Sequence, residues 1–477
     1  MEAIYNVLNW IDGNILWGIP MIVLILVAGV LLTVRTRAFQ LREFGSSMKQ
    51  AFAGTGKQLK KNEQREKGGI SAFEAFSTAI SGTVGTGNIV GVTTAIIAGG
   101  PGAVFWMWVS AFFGSATKFA EITLGMYYRK KTENGEYVGG PMYYIEHGTK
   151  QKWLAVLFCV FAMLAAIGMG SVQADTIQAS WNVAFGLPTY VTAIIIAALT
   201  ALVIIGGVKR IGKVTSYIVP FMVVLFLILA LILIFANVTA VPAAFASIFT
   251  SAFTTKSLVG GFLGYGILSA MRYGFARGIF SNEAGLGSSP IAHCSSETKE
   301  PVEQGLWGIF EVFVDTFVIC TLTALFVLTS GASVDANSKG AEVAMNSFTG
   351  LLGTFGTISY SVILPLFAYS TILAWALYGA RAAQYLFPNH KKSANLTFNI
   401  VYVLLIIGIA LLTFFFGNNL GADFVWLISD MTNALMAIPN LIALIILSGK
   451  LIAITKNYFE RKKNGDIVSP MISAYEE

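Results

Sequence analysis

The chain has 477 residues, of which 55% are hydrophobic and 12% charged, with a mean hydropathy of +0.70. Soluble domains carry about 25% charged residues, so this composition excludes a water-soluble globular protein and places the chain in lipid. The net charge of +6 is spread over six loops and forms no nucleic-acid-binding patch. Three cysteines without a CxxC and three histidines without an HExxH exclude a disulfide framework and a zinc site.

Apolar runs of about 20 residues predict eleven membrane spans. In chain order they lie near 15–34, 70–98, 101–127, 153–179, 188–206, 214–236, 258–283, 305–330, 354–380, 396–416 and 422–448. The first has no basic stretch before it, and Arg35 and Arg37 follow it, so it reads as a retained span and not a signal peptide. With the next loop, 35–69, inside, the inner loops and tail hold 26 Lys and Arg residues against Lys256 and Lys339 outside. This asymmetry predicts an outer N-terminus and a cytoplasmic C-terminus. His147, His293 and His390 then fall in cytoplasmic loops.

Ten spans remain when the first is set aside. Divided five and five, the halves run in opposite directions, because five is odd. The predicted organisation is an N-terminal helix and basic loop (1–69), a first five-helix repeat (70–236), an inverted second repeat (237–449) and a cytoplasmic tail (450–477). Each half opens on a glycine-interrupted span, and interrupted spans in corresponding positions of two halves point to a transport site.

The first interruption is Ser81-Gly-Thr-Val-Gly-Thr-Gly-Asn88. Each glycine costs roughly 1 kcal/mol of helix propensity relative to alanine. Broken backbone at membrane depth persists where it is buried in protein or lines a polar cavity. Thr83, Thr86 and Asn88 add polar groups that close helix packing does not require. In the second half the expected interruption comprises Gly260, Gly261, Gly264 and Gly266, then Gly274 and Gly278. Small-residue packing between helices accounts for those equally well.

Enzyme chemistry finds no support. Gly85-x-Gly87 followed by Gly91 is not the dinucleotide fingerprint, no GK[ST] follows, and no nucleophile–base pair stands out. A channel is the rival class, since glycine-rich breaks also line pores.

Several motifs together resemble the alanine or glycine:cation symporter family. They are the Ser81–Asn88 stretch continuing Ile-Val-Gly, then Gly99-Gly-Pro-Gly-Ala-Val-Phe-Trp-Met-Trp108, Gly139-Gly-Pro-Met-Tyr-Tyr144, and Arg277-Gly-Ile-Phe-Ser-Asn-Glu-Ala-Gly-Leu-Gly-Ser288 leading to Pro290-Ile-Ala-His293. The resemblance spans roughly residues 10–450. It implies an all-α, polytopic LeuT-type fold of two inverted five-helix repeats plus one extra N-terminal helix. It also implies symport of small neutral amino acids with sodium across a prokaryotic plasma membrane, with no cofactor besides the coupling ion.

Val84-Gly85-x-Gly87-Asn88 also resembles the broken first core helix of sodium-coupled LeuT-type symporters. That likeness implies a sodium ion held by the carbonyls of Ser81, Val84 and Phe367 and the hydroxyls of Ser370 and Thr371. Sodium prefers hard oxygen ligands of this kind. It implies a substrate carboxylate on the N–H groups near Thr86 and Gly87, with Gly85 and Asn88 in the same break and the substrate amine at the Thr83 carbonyl. The alternative for Ser370 and Thr371 is back-bonding to the previous turn. Gln173 is expected to face substrate, against an interhelical hydrogen bond as its alternative. Trp375 shares a helix face with Thr371 and either walls the pocket or simply packs. Ile267 and Met271 complete the expected wall.

The charges within spans are expected to be structural. Glu311 and Asp315, on one helix face, would pair with Arg272 and Arg277, and Lys118 with Glu121. Asp175 and Asp430 are candidate proton carriers, which keeps proton coupling open.

Overall fold

The computed structural model describes residues 2–58, 69–133, 135–254, 266–332, 334, 338–416 and 419–464. Helices stand at all eleven expected places. Among the described residues, six are long and apolar enough to cross a bilayer, or seven if the bent pair Ala72–Thr83 and Thr86–Gly99 counts as one span.

That bent pair is the interrupted span expected around Ser81–Asn88. Its first half starts at a capping box: the Ser71 hydroxyl accepts from the Glu74 N–H (3.1 Å), and the Glu74 carboxylate accepts from the Ser71 N–H (2.9 Å), satisfying two donors that a helix start leaves orphaned. The helix Ala72–Thr83 ends where Val84 turns to extended backbone. A short 3-10 turn, Thr86–Asn88, follows, and the helix Val90–Gly99 leaves at 55° to the first half.

Within the described residues the second interrupted span breaks later than Gly274 and Gly278. Gly260, Gly261 and Gly264 lie outside the described residues. Gly274 and Gly278 sit inside one continuous helix, Ile267–Asn282. Their missing side chains let the helix Gly102–Tyr127 approach, since an added methyl would meet Ala103 and Trp106, or Ser110. The break comes after Asn282. Glu283, Gly285 and Gly287 all have positive φ (55°, 99° and 78°), and a short helix, Ser289–His293, follows. Glycine meets this backbone demand without strain, whereas Glu283 bears it with a side chain.

The chain just before the first broken span and just after the second meet at one end of the bundle. The Ile70 N–H donates to the Ser295 carbonyl (3.1 Å), and the Glu297 N–H donates to the Ile70 carbonyl (2.8 Å). A long helix, Gly340–Leu386, kinked at Gly353, packs along Lys152–Phe185 and across the first break.

Other boundaries move. The segment 35–69, read as a loop, contains the helices Phe39–Arg42 and Phe44–Gln58. Ser47 ties the second of these to the Leu306 carbonyl (2.8 Å). The helix Val241–Phe253 lies where no element was expected. The last helix runs on to Lys463, because Leu451, Ile454 and Tyr458 give its end a buried apolar stripe at helical spacing. The expected tail therefore begins as packed helix. His293, assigned to a cytoplasmic loop, is fully buried at the end of Ser289–His293.

Candidate functional site between two helix breaks

The first break meets the long helix through Thr371. Its hydroxyl lies 2.9 Å from the Ser81 carbonyl and 3.0 Å from the Phe367 carbonyl. One hydroxyl carries one hydrogen and two lone pairs, so it cannot donate fully to both carbonyls. Ser370 donates to the same Phe367 carbonyl at 2.9 Å. This is the back-bonding alternative, but it leaves the hydroxyl lone pairs available. Four of the five residues expected around sodium thus converge, all of them buried. Val84, the fifth, is also buried and heads the extended stretch. Neutral carbonyl and hydroxyl oxygens of this kind suit a hard monovalent cation without burying a full negative charge.

Gly85 is required at this point. A methyl there would lie 2.5 Å from the Thr371 hydroxyl oxygen and 3.6 Å from the Gln173 amide nitrogen. Gln173 reaches the break directly, as its amide oxygen accepts from the Thr86 N–H at 3.3 Å. The Thr86 hydroxyl and, one helix away, the Tyr378 hydroxyl are buried without hydrogen-bond partners among the described residues. Leaving such a group unsatisfied costs about 1–3 kcal/mol, and a polar ligand would offset that cost. Thr83 donates to its own helix, at the Ile80 carbonyl (3.1 Å).

Asn88 is committed to structure. Its amide oxygen accepts from the Gly85 N–H (2.9 Å), closing the turn, and its amide nitrogen donates to an Asp315 carboxylate oxygen (2.6 Å). Asp315 also accepts from Ser281 (2.9 Å) and Thr316 (2.8 Å). Gly87 faces the second broken span, where an added methyl would sit 3.2 Å from the Phe280 ring.

The second break is held by charge. The N–H groups of Gly285 and Gly287 both donate to one Glu121 carboxylate oxygen (3.0 and 3.1 Å), and Asn440 donates to the same oxygen and to the Gly285 carbonyl. Lys118 donates to the Asn282 carbonyl (2.8 Å) and pairs with Glu311 (3.2 Å). Glu311 also accepts from Ser289 and contacts His293. Trp375 donates its indole N–H to Glu283 (2.9 Å), which places it, fully buried, at this second break.

The expected charge pairings are therefore corrected. Lys118 pairs with Glu311 and not Glu121, because Glu121 is taken up by the exposed N–H groups of the break. Arg277 pairs with Asp430 (3.1 Å) and not with Glu311 or Asp315, which point at the two breaks. Ile267 and Met271 stand in the first turns of the helix Ile267–Asn282, away from the break at its end. Met271 lies three turns before Glu283, about 18 Å along the helix, near the contact of Ala270 and Tyr273 with Gly99. Sequence reasoning missed Glu283 and Ser281, and it assigned Asp315 to an ion pair and not to the first break. The available signal was a Glu two residues before a Gly-x-Gly pair inside a buried motif.

At the bundle end that holds the N-terminal helix lies a cavity of about 600 Å3, lined among others by Asp12, Arg272, Arg277, Trp426 and Asp430. A smaller neighbouring cavity shares Asp12, Arg272, Arg277 and Asp430 with it and is also lined by Phe280, whose ring is stacked on Trp426.

The profile of the sodium:alanine symporter family matches residues 1–472. The sodium/alanine symporter AgcS of Methanococcus maripaludis is 40% identical over 460 residues, covering 95% of this chain and 97% of that protein. A putative sodium/proton-dependent alanine carrier protein, YrbD of Bacillus subtilis, is 37% identical, covering 94% and 92%. The crystal structure of MhsT in complex with L-phenylalanine, a LeuT-fold transporter, superposes with a TM-score of 0.56 at 14% identity, covering 83% of this chain and 99% of MhsT. The fold is thus the LeuT type, and the chain belongs to the sodium:alanine symporter family, an integral membrane amino-acid transporter and not an enzyme.

Proposed function

We propose that the chain is a sodium-coupled symporter that imports small neutral amino acids across the prokaryotic plasma membrane, its N-terminus outside and its C-terminus cytoplasmic. Alanine or glycine is the favoured substrate, with serine and glutamine next. The observation that carries this reading is the Thr371 hydroxyl set between the Ser81 and Phe367 carbonyls. It joins the broken helix to the long helix through oxygens alone. A sodium ion there would take its ligands from Ser81, Val84, Phe367, Ser370 and Thr371. The substrate carboxylate would compete with the Gln173 amide oxygen for the Thr86 N–H, and the amine would meet the Thr83 carbonyl.

Because sodium bridges the two helices, its binding favours one arrangement of residues 70–236 against 237–449. That differential affinity is what a coupled, alternating-access cycle requires. Proton coupling is the second reading. The buried Asp315 carboxylate beside the first break has neutral hydrogen-bond donors, and an isolated buried carboxylate is costly unless a cation or a proton neutralises it.

The test is uptake of labelled alanine, glycine and glutamine by proteoliposomes under an imposed sodium or proton gradient. Concentrative uptake driven by sodium alone supports the proposal. Full uptake on a proton gradient without sodium transfers the coupling role to Asp315. Absence of counterflow, with conduction down a gradient, would make the chain a channel.

A further inference from the structure

Four helix ends meet around a cavity of about 130 Å3. The helix Thr189–Ile204 ends there and the helix Gly207–Ala236 begins there. Arg381 and Gln384 come from the last turns of Gly340–Leu386, and Asn395 and Asn399 from the start of Lys391–Phe416. Arg381 supplies the positive charge. Its guanidinium donates to Gln384 (2.9 Å) and to Glu136 (3.1 Å), and Gln384 donates in turn to Asn395 (3.1 Å). The Arg381 Nε–H is buried without a hydrogen-bond partner among the described residues, in a side chain only 10% exposed. Beside it the helix Gly207–Ala236 starts without a side-chain cap, so its first N–H groups have no partner inside the helix.

These donors suit an anion with several oxygens. A phosphate group is one that both a guanidinium and a helix start accept. Glu136 is the acid that lines the cavity. Against it, five exposed cations, Lys209, Arg210, Lys213, Lys391 and Lys392, stand on the two helix starts. Volume decides what carries the phosphate. A small-molecule site usually has about 300–1,000 Å3, so this cavity admits one polar group and leaves the rest of its ligand outside. Apolar surface lies outside. Leu199, Leu202 and Ile205 are exposed along one flanking helix and at its end, and Leu396, Ile400 and Leu404 along another. Faces of this kind meet acyl tails in a membrane protein.

We propose that this cavity binds the phosphate of an anionic phospholipid, with Arg381 and the start of the helix Gly207–Ala236 as donors and the acyl chains along the two apolar faces. Basic pockets between helices at a membrane surface recognise such headgroups. The site needs the chain's membrane placement but not sodium coupling. One lipid there joins four helix ends. Arg381 stands ten residues after Thr371, about 15 Å along the same helix, so the lipid steadies the helix that carries the proposed ion site.

The experiment is native mass spectrometry of the full chain in neutral detergent, titrated with dioleoyl phosphatidylglycerol or dioleoyl phosphatidylcholine. One phosphatidylglycerol per chain is expected, held at least about tenfold more tightly than phosphatidylcholine. Arg381→Gln should erase that preference. Asn399→Asp, which puts a negative charge in the cavity and leaves Arg381 in place, should do the same and decides the matter if Arg381→Gln does not fold. Glu136→Gln removes the ion pair but also the competing anion, so it should bind phosphatidylglycerol at least as tightly as the unaltered chain. Inorganic phosphate at millimolar concentration should not displace the lipid. Size-exclusion profiles and melting midpoints establish folding. Equal binding of the two lipids, or an unchanged preference in the folded variants, overturns the site. A loss in Glu136→Gln equal to that in Arg381→Gln makes Arg381 a structural ion-pair residue only. Displacement by phosphate assigns the cavity to a soluble anion and overturns the lipid.

Discussion

The two helix breaks solve the same backbone problem with opposite chemistry. At the first, neutral groups close the turn: Asn88 on Gly85, Gln173 on Thr86, Thr371 on Ser81. Hydroxyls on Thr86 and Tyr378 stay unsatisfied among the described residues. At the second, Glu121 takes the N–H groups of Gly285 and Gly287, and Lys118 and Glu311 form a fully buried pair beside it. Neutral, partly unsatisfied groups can exchange partners cheaply when a ligand arrives. A buried ion pair cannot, because losing one partner strands a charge. On the proposed reading the first break faces the ligand, and the second is the abutment against which Phe280, Ser281 and Trp375 are positioned.

The largest effect that separates the two is expected from Lys118→Met. It leaves Glu311 without the cation it contacts, a loss of about 3–5 kcal/mol for a broken buried pair. Thermal melting in detergent should show the fall, and the double change Lys118→Met with Glu311→Gln should recover part of it. Equal stability of the single variant and the unaltered chain would show that the second break is not held by charge.

Trp375→Ala should come next. The indole is fully buried, so truncation costs roughly 3–5 kcal/mol and also removes a donor from Glu283. Trp375→Phe keeps most of the volume and should lose about 1–3 kcal/mol. In the phenylalanine variant, competition from glycine through alanine to leucine tests whether the ring limits substrate size. An unchanged rank order would leave Trp375 a purely structural residue of the second break.

Gly85→Ala should act on transport before stability. The added methyl, 2.5 Å from the Thr371 oxygen, separates the broken helix from the long helix. Sodium-driven alanine uptake is expected to fall by at least about tenfold, an increment of about 1.4 kcal/mol, in a chain that remains monodisperse. Normal uptake would mean that this contact is incidental. Gly91→Ala should do the least. It has no neighbour within 4 Å of the new methyl and sits in the helix Val90–Gly99, so a gain of at most about 1 kcal/mol in melting stability is expected, with uptake unchanged.

The contrast between the breaks also explains what was legible beforehand. The first break shows in the sequence because three glycines stand together with Thr83, Thr86 and Asn88 in a segment otherwise fit for a continuous span. The second does not, because glycine has two uses there. Gly274 and Gly278 admit a neighbouring helix, whereas Gly285 and Gly287 supply positive φ, and a count of glycines cannot tell the two apart. The convergence of Ser81, Phe367, Ser370 and Thr371 came from a family resemblance, and the helices do meet there. Ile267 and Met271 were placed relative to a break expected earlier in the chain, whereas the helix Ile267–Asn282 is continuous through them. Charge pairing was the least legible feature. Spacing put Glu311 and Asp315 on one face, but which helices lie opposite is decided by tertiary packing, and so Lys118 and Asn88 were not foreseen as their partners.

The most direct test of the account is the sodium dependence of alanine uptake in proteoliposomes containing Ser370→Ala together with Thr371→Ala. Both changes remove hydroxyl oxygens while leaving the helix Gly340–Leu386 and its apolar packing in place. The account predicts a folded carrier whose sodium concentration for half-maximal uptake rises about tenfold or more, equivalent to at least about 1.4 kcal/mol of lost ion binding. Sodium activation identical to that of the unaltered chain, in protein shown to be folded, would contradict the placement of the coupling ion at the first break.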